Sequence, residues 1–171
     1  KVLITGGAGF IGYHLAKNLL KDCSVDLIDN LSRGKVDKDF KKLIKDNNVR
    51  LLNIDLNNKI KINSKNYDYI FHLAATIGVD TVIKNPFRVL NNNYLSTLNV
   101  IKFAKEQKKL KKLFFTSTSE IYSGSFKHKL IKFPTKENSI LSLNNMNSAR
   151  GTYMLSKIYC EALCHFSNIP F

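Results

Sequence analysis

Val2-Leu3-Ile4-Thr5-Gly6-Gly7-Ala8-Gly9-Phe10-Ile11-Gly12 decides how this chain folds. Val2-Leu3-Ile4 is a short apolar run that stops at a glycine cluster, the mark of a buried strand. Phe10, Ile11, Leu15, Leu19 and Leu20 then recur at helical spacing. A strand thus turns tightly into a helix. Glycines at 6, 9 and 12 let the backbone come close to a ligand, and the helix start supplies unpaired amides and the positive end of a dipole. That combination suits a diphosphate. A glycine-rich turn holding nothing would read alike over these few residues, and it is the strand before and the helix after that favour a ligand.

Outward from this unit the pattern repeats. Val25 to Ile28, Val49 to Ile54, Tyr69 to Leu73 and Leu113 to Phe115 read as strands. Asn85-Pro86 opens a long helix, with Asn as cap and Pro in the first turn, carrying Leu90, Tyr94, Leu98, Ile101 and Ala104 on one face. A last helix spans about 152 to 166. Strands that alternate with helices and are apolar on both faces predict an α/β fold, a doubly wound parallel sheet of Rossmann type. Residues 1–171 are expected to form one dinucleotide-binding domain. Lys127 to Asn147 is the longest irregular stretch and reads as a functional surface loop. Asn168-Ile169-Pro170-Phe171 reads as the approach to a sixth strand, so a longer enzyme is expected to continue from it.

Composition excludes some classes. Of 171 residues, 44% are hydrophobic and 23% charged, as in ordinary globular domains. No apolar run nears the roughly 20 residues of a membrane span, and no export signal is expected because the chain enters a strand at once. The net charge of +14 admits nucleic acid, a membrane surface or a small anion as partner. The lysines are dispersed, among them Lys41, Lys42 and Lys45, Lys59, Lys61 and Lys65, Lys105, Lys108 and Lys109, and Lys127, Lys129 and Lys132. They form no stripe with interleaved aromatics, so a nucleic-acid partner is not expected. Cys23, Cys160 and Cys164 lack zinc spacing, and no metal is expected even where Cys160, Cys164 and His165 share a helix. Thiols in this pattern suit a reducing compartment, the cytoplasm.

Asp29 stands 20 residues past Gly9, at the end of the second strand. A carboxylate there can accept from a ribose 2′-hydroxyl and repels a 2′-phosphate, which favours NAD over NADP, with Arg33 nearby as the opposing sign. Asp55 follows the third strand and could meet an adenine edge. Ala74 and Ala75 follow the fourth and are small enough for a cofactor to lie against them. Tyr153 and Lys157 lie four apart on one helical face. A tyrosine near pKa 10 is a poor base at neutral pH, and an adjacent ammonium and a cationic nicotinamide would lower it. It could then take a proton from a sugar hydroxyl. A core tyrosine with a solvated lysine gives the same spacing. In Lys112-Leu113-Phe114-Phe115-Thr116-Ser117-Thr118-Ser119-Glu120-Ile121-Tyr122-Ser123, hydroxyls and a carboxylate follow a strand directly. Turn chemistry alone would explain them. Facing the same crevice, Thr118 would hold the reacting hydroxyl, and Ser119 and Glu120 would serve a second proton transfer.

TGGAGFIG at 5–12, DNLSRG at 29–34, DL at 55–56, HLAA at 72–75, NNYLSTLNV at 92–100, STSEIY at 117–122 and YMLSK at 153–157 resemble the extended short-chain dehydrogenase/reductases, specifically the NAD-dependent nucleotide-sugar epimerase/dehydratase family. The resemblance covers nearly the whole chain. It implies oxidation of an NDP-sugar, usually at C4, on tightly held NAD. Re-reduction then gives an epimer, loss of water a 4-keto-6-deoxy sugar, and loss of carbon dioxide from a uronic acid a pentose. It implies that Thr118, Tyr153 and Lys157 are catalytic, with Ser119 and Glu120 beside them. It places Gly6, Gly9, Phe10, Ile11, Gly12, Asp29, Asn30, Asp55, Leu56, Leu73, Ala74, Ala75 and Asn93, with Tyr153 and Lys157, around NAD. A homodimer built on the two long helices is implied too. HLAATIGVDTVIKNP at 72–86 resembles the 4-epimerase-like group, so 4-epimerisation is the first expectation. STSE and Arg150 resemble UDP-glucuronate decarboxylase-like and GDP-mannose dehydratase-like members, so decarboxylation or 4,6-dehydration is the second. Ser119 stands where dTDP-glucose dehydratases carry an acid, and Ser123 where a glycine usually follows the tyrosine. A dinucleotide-binding sensor without catalysis is the rival of another class.

Overall fold

The computed structural model describes all residues except Lys35, Lys65 and Asn144. Lys65 among the dispersed lysines, and Asn144 in the long irregular stretch, therefore lie outside the described residues.

Five parallel strands form one sheet: β1 (Val2–Thr5), β2 (Val25–Asp29), β3 (Val49–Asn53), β4 (Tyr69–His72) and β5 (Lys112–Phe115), in the order β3-β2-β1-β4-β5. Val2 pairs with Val25 on one side and Tyr69 on the other. Alternate residues of each strand point to opposite faces. Val2, Ile4, Val25 and Leu27 accordingly join one buried cluster with Ala16 of α1 (Phe10–Leu19) and with Phe40 and Leu43 of α2 (Lys38–Leu43). Leu3, Ile28, Ile70 and Leu113 join the other, with Val100, Ile101, Phe103 and Ala104 from the later half of α4 (Pro86–Lys105). Both faces are covered, which is the expected doubly wound arrangement. From β1 the chain runs outward to β3, then returns to β4 on the opposite side. The switch point is at the carboxyl ends of β1 and β4, where such sheets bind ligands.

Contacts divide the chain into two compact units. The first, residues 1–75, 95–116 and 163–171, holds the sheet and both clusters. In it the Leu113 amide donates to the Pro170 carbonyl at 2.8 Å, as a segment running beside β5 should.

The second, residues 76–94 and 117–162, holds α3 (Val79–Lys84), the first half of α4, a 3-10 turn at Ser119–Tyr122, α5 (Ser123–Lys127) and most of α6 (Gly151–His165). The short helices α3 and α5 are additions to the sequence reading, since six or fewer residues show no periodicity to read. The irregular stretch is tied down in its middle. The Tyr122 hydroxyl donates to the Glu137 carbonyl at 3.1 Å, and Ser125 Oγ to the Ile140 carbonyl at 2.5 Å.

One packing expectation is corrected. Phe10 and Ile11 share the helical spacing of α1, yet they are 81% and 62% exposed. Gly12 and Ala16 face the sheet instead. Side chains lean toward a helix N-terminus, so those of the first turn overhang the sheet edge instead of packing on it.

Candidate functional site

In the first unit the glycine turn is built by contact as much as by torsion. Gly6 has φ 72°, and a Cβ there would lie 2.9 Å from the Ala74 amide nitrogen. A Cβ on Gly12 would lie 2.3 Å from the Gly6 carbonyl oxygen, so α1 can start this close to β1 only without one. Gly9 is the N-cap of α1; no side chain caps the helix and no acid stands in its first turn. Its leading amides therefore face outward from a cradle of bare backbone, the donor set that a diphosphate needs.

Asp29 is held against this cradle. Its Oδ2 accepts from the Ala8 amide at 3.0 Å and its Oδ1 from the Leu31 amide at 2.8 Å. A carboxylate has about four acceptor sites, so the group is fixed in place and still able to accept from ribose hydroxyls. These observations fit a dinucleotide. Other expected contacts are occupied locally. Asn30 Oδ1 accepts from the Ser32 amide at 3.1 Å, and Asp55 Oδ1 from the Asn57 amide at 2.9 Å. Both side chains close turns at exposed positions. Leu56 is buried in the core. Leu73, Ala74 and Ala75 are half-buried just past β4.

His72, noted in the sequence only as part of HLAA, proves to be a hub of this unit. Its Nδ1 lies 2.7 Å from Thr5 Oγ1 and its Nε2 3.0 Å from Thr97 Oγ1, and the Ala74 amide donates to Thr5 Oγ1 at 3.3 Å. Thr116, the first of the hydroxyls after β5, donates to the His72 carbonyl at 3.1 Å and so ties the end of β5 to β4.

The second unit brings Thr118, Ser119, Glu120, Tyr153, Lys157 and Asn93 into one body. Thr118 caps the 3-10 turn, accepting from the Glu120 amide at 3.3 Å, and its side chain is near enough to Tyr153 to influence the phenol. Lys157 is buried on α6 with Nζ 5.9 Å from the Tyr153 ring centroid, one helical turn away as its spacing requires. Ser119 and Glu120 are exposed. The chain's own groups push the Tyr153 phenol up on balance. Burial pushes the Tyr153 phenol up and the Glu120 charge adds to the rise, while the Thr118 hydrogen bond pulls it down. Desolvation disfavours phenolate before any ligand charge acts.

Asn93 is where sequence reasoning said least and the structure says most. Its Oδ1 accepts from the Thr76 amide at 2.7 Å, and its Nδ2 donates to the Thr76 carbonyl at 3.3 Å and to Ser156 Oγ at 3.0 Å. Ser156 Oγ in turn donates to the Tyr153 carbonyl at 2.7 Å. Cys160 Sγ donates to the Asn93 carbonyl at 3.4 Å. Asn93 thus joins α4, α6 and residue 76 within the unit. No signal in the sequence marks Thr76 or Ser156 as its partners.

Among the described residues, no three His, Cys, Asp or Glu side chains are grouped to hold a metal. No described helix is long and apolar enough to cross a membrane.

The profile of the NAD dependent epimerase/dehydratase family matches residues 2–168. The chain belongs to this family. It is 33% identical over 167 residues to UDP-N-acetyl-alpha-D-glucosaminuronate decarboxylase of Bacillus cytotoxicus, covering 96% of this chain and 49% of that protein. It is 35% identical over 132 residues to UDP-glucuronate 4-epimerase of Thermodesulfobacterium geofontis, covering 71% and 40%. Its fold superposes on the UDP-Glc/GlcNAc 4-epimerase from Campylobacter jejuni with a TM-score of 0.77 at 28% identity, over 97% of this chain and 48% of that one. The chain thus spans about half the length of the relatives it matches. Family membership accounts for the glycine cradle and its acid; the decarboxylase and epimerase relatives differ in reaction, so membership does not choose between them.

Proposed function

We propose that the protein carrying this chain oxidises the sugar of an NDP-sugar at C4 and re-reduces it, a 4-epimerisation in which NAD is retained. The observation that carries this reading is the grouping of Thr118, Tyr153 and Lys157 in one unit, with the Thr118 side chain close enough to influence the Tyr153 phenol and the Lys157 ammonium 5.9 Å from the Tyr153 ring centroid. Gly6, Gly9, Gly12 and Asp29 would hold NAD, which when bound would supply the hydride chemistry at the sugar carbon. Thr118 Oγ holds the sugar hydroxyl, Tyr153 removes its proton as the carbonyl forms, and Lys157 stabilises the phenolate that does so. Returning proton and hydride with the ketone's other face presented inverts the carbon. Because burial and Glu120 both raise the phenol, lowering it in the working enzyme would fall to the charge of Lys157 and of a bound cationic nicotinamide.

Decarboxylation or 4,6-dehydration is the second reading. Glu120 supports it: its charge reaches Tyr153, and a carboxylate near the reacting carbon could move a proton at the neighbouring one. The Bacillus relative is a uronate decarboxylase by name. The protein acts as a cytoplasmic homodimer through α4 and α6 in either reading, and light scattering of the full-length protein tests the dimer.

The deciding experiment incubates the full-length protein with NAD and a panel of UDP-, GDP-, CDP- and dTDP-sugars, read by product mass and proton NMR. A new sugar of unchanged mass is expected. A product lighter by water or carbon dioxide overturns epimerisation in favour of the second reading. Tyr153→Phe should lose turnover by about 10²-fold or more, the scale of a lost acid–base group, and full activity in that variant refutes the catalytic assignment.

A further inference from the structure

His72 ends β4, and its side chain is buried where the sheet meets the glycine cradle. In register it stands beside Thr5, the last residue of β1. Past this pair β1 turns into the cradle, while the other strand runs on through Leu73 and Ala74. The two segments stay joined for two residues more. The Leu73 amide donates to the Thr5 carbonyl at 3.2 Å, and the Ala74 amide donates to Thr5 Oγ1 at 3.3 Å. That second bond comes from a side chain, and it holds a sensitive point. A Cβ on Gly6 would lie 2.9 Å from the same Ala74 nitrogen, so this amide sits directly against the first glycine of the cradle.

The protons here follow from counting donors and acceptors. A threonine hydroxyl has one proton to give and two lone pairs. One lone pair of Thr5 Oγ1 takes the Ala74 N–H. Among the described residues, the acceptor in reach of its proton is His72 Nδ1, at 2.7 Å. A ring nitrogen that accepts carries no proton, so the imidazole is neutral and its proton is on Nε2, which faces Thr97 Oγ1 of α4 at 3.0 Å. Each group then donates to the next: Ala74 to Thr5, Thr5 to His72, His72 to Thr97. With the proton on Nδ1 instead, the Thr5 hydroxyl would lose its acceptor at a fully buried position, which is costly. The backbone of His72 is fixed too, its carbonyl accepting from the Thr116 amide at 3.3 Å and from the Thr116 hydroxyl at 3.1 Å. Packing alone would not require both ring nitrogens to meet hydroxyls, one of which holds the cradle.

We propose that His72 is a positioning residue for the dinucleotide: as the Nε2–H tautomer it orients the Thr5 hydroxyl, and Thr5 holds the Ala74 amide against Gly6. The floor of the cradle is thereby set before NAD arrives, which spares the cost of ordering it on binding. The inference rests on NAD occupying the cradle and not on which sugar reaction follows.

Long-range proton–nitrogen NMR of the histidine rings in the full-length protein reads the tautomer, the His72 signal being assigned by its loss in His72→Gln. Nε2–H is expected, and Nδ1–H overturns the proposal. Calorimetric NAD binding, with circular dichroism to confirm folding, reads the positioning. Thr5→Val keeps the shape without the hydroxyl and should weaken NAD binding about five- to tenfold, the scale of one hydrogen bond. Thr5→Ser restores the hydroxyl and should bind NAD as the unmodified protein does. His72→Asn places an acceptor near the Nδ1 position and should keep more affinity than His72→Gln, whose amide reaches toward Thr97 instead. Unchanged affinity in Thr5→Val, equal weakening in Thr5→Ser, or an Asn variant no better than Gln overturns the proposal. Should the variants at one of the two positions fail to fold, those at the other decide. An unmodified protein that binds no NAD refutes the cradle reading and the positioning role together, whatever the tautomer.

Discussion

Asn93→Ala should cost the protein stability out of proportion to the few atoms removed. Among the hydrogen bonds of the buried Asn93 side chain are two to Thr76 and one to Ser156. A typical intramolecular hydrogen bond contributes about 1 kcal/mol net, and a buried partner left unsatisfied adds its own desolvation. The three together give a loss of roughly 3 kcal/mol. Ser156→Ala removes one of those partners and the bond to the Tyr153 carbonyl, so it should cost less, about 1–2 kcal/mol. Urea unfolding of the full-length protein followed by circular dichroism measures both: the midpoint should fall with the slope unchanged. kcat should fall in Asn93→Ala as well, because Ser156, whose hydroxyl binds the Tyr153 carbonyl, loses its tie to α4. A loss below about 1 kcal/mol in Asn93→Ala would show that solvent replaces these bonds freely and that Asn93 is not the tie described.

Other perturbations have equally definite outcomes. Gly12→Ala places a Cβ 2.3 Å from the Gly6 carbonyl and should abolish NAD retention or folding, whereas Gly9→Ala, whose Cβ meets only the Gly6 oxygen at 3.2 Å, should fold and bind NAD more weakly; calorimetry with NAD distinguishes them. Glu120→Gln removes the anion that raises Tyr153, so the acid limb of the kcat profile should move to lower pH; an unmoved limb would mean that the Glu120 charge does not reach the phenol in the working enzyme. Asp26 is buried in the sheet with Arg50 Nη2 at 2.5 Å, Lys1 Nζ at 3.0 Å and the Tyr67 hydroxyl. Burial raises its carboxyl, but the bonds from Arg50, Tyr67 and Lys1 outweigh that and hold it below its ordinary 3.8. A depressed folded value gives stability that is complete above the unfolded pKa and lost as pH falls through the folded one. Asp26→Asn should therefore flatten the pH dependence of stability below about pH 4, measured by urea unfolding across that range.

The sequence by itself determined the local units. Gly6 and Gly12 announce the turn because only a residue without Cβ fits between β1, β4 and α1, a requirement written into a few consecutive positions. Apolar runs mark all five strands, most plainly β1 and β2, which are buried on both faces where polar residues are costly. Tyr153 and Lys157 share a face because helical spacing is fixed. What only the tertiary structure decided depends on residues far apart in the chain. The strand order, the sorting of Leu3 from Val2 and Ile4 into different cores, and the exposure of Phe10 and Ile11 follow from which surfaces meet. The tie from Asn93 to Thr76 and Ser156 spans 17 and 63 residues, so no local pattern encodes it. The Tyr153 phenol rises because a pKa follows desolvation and neighbouring charge, and both are made by packing, not by spacing.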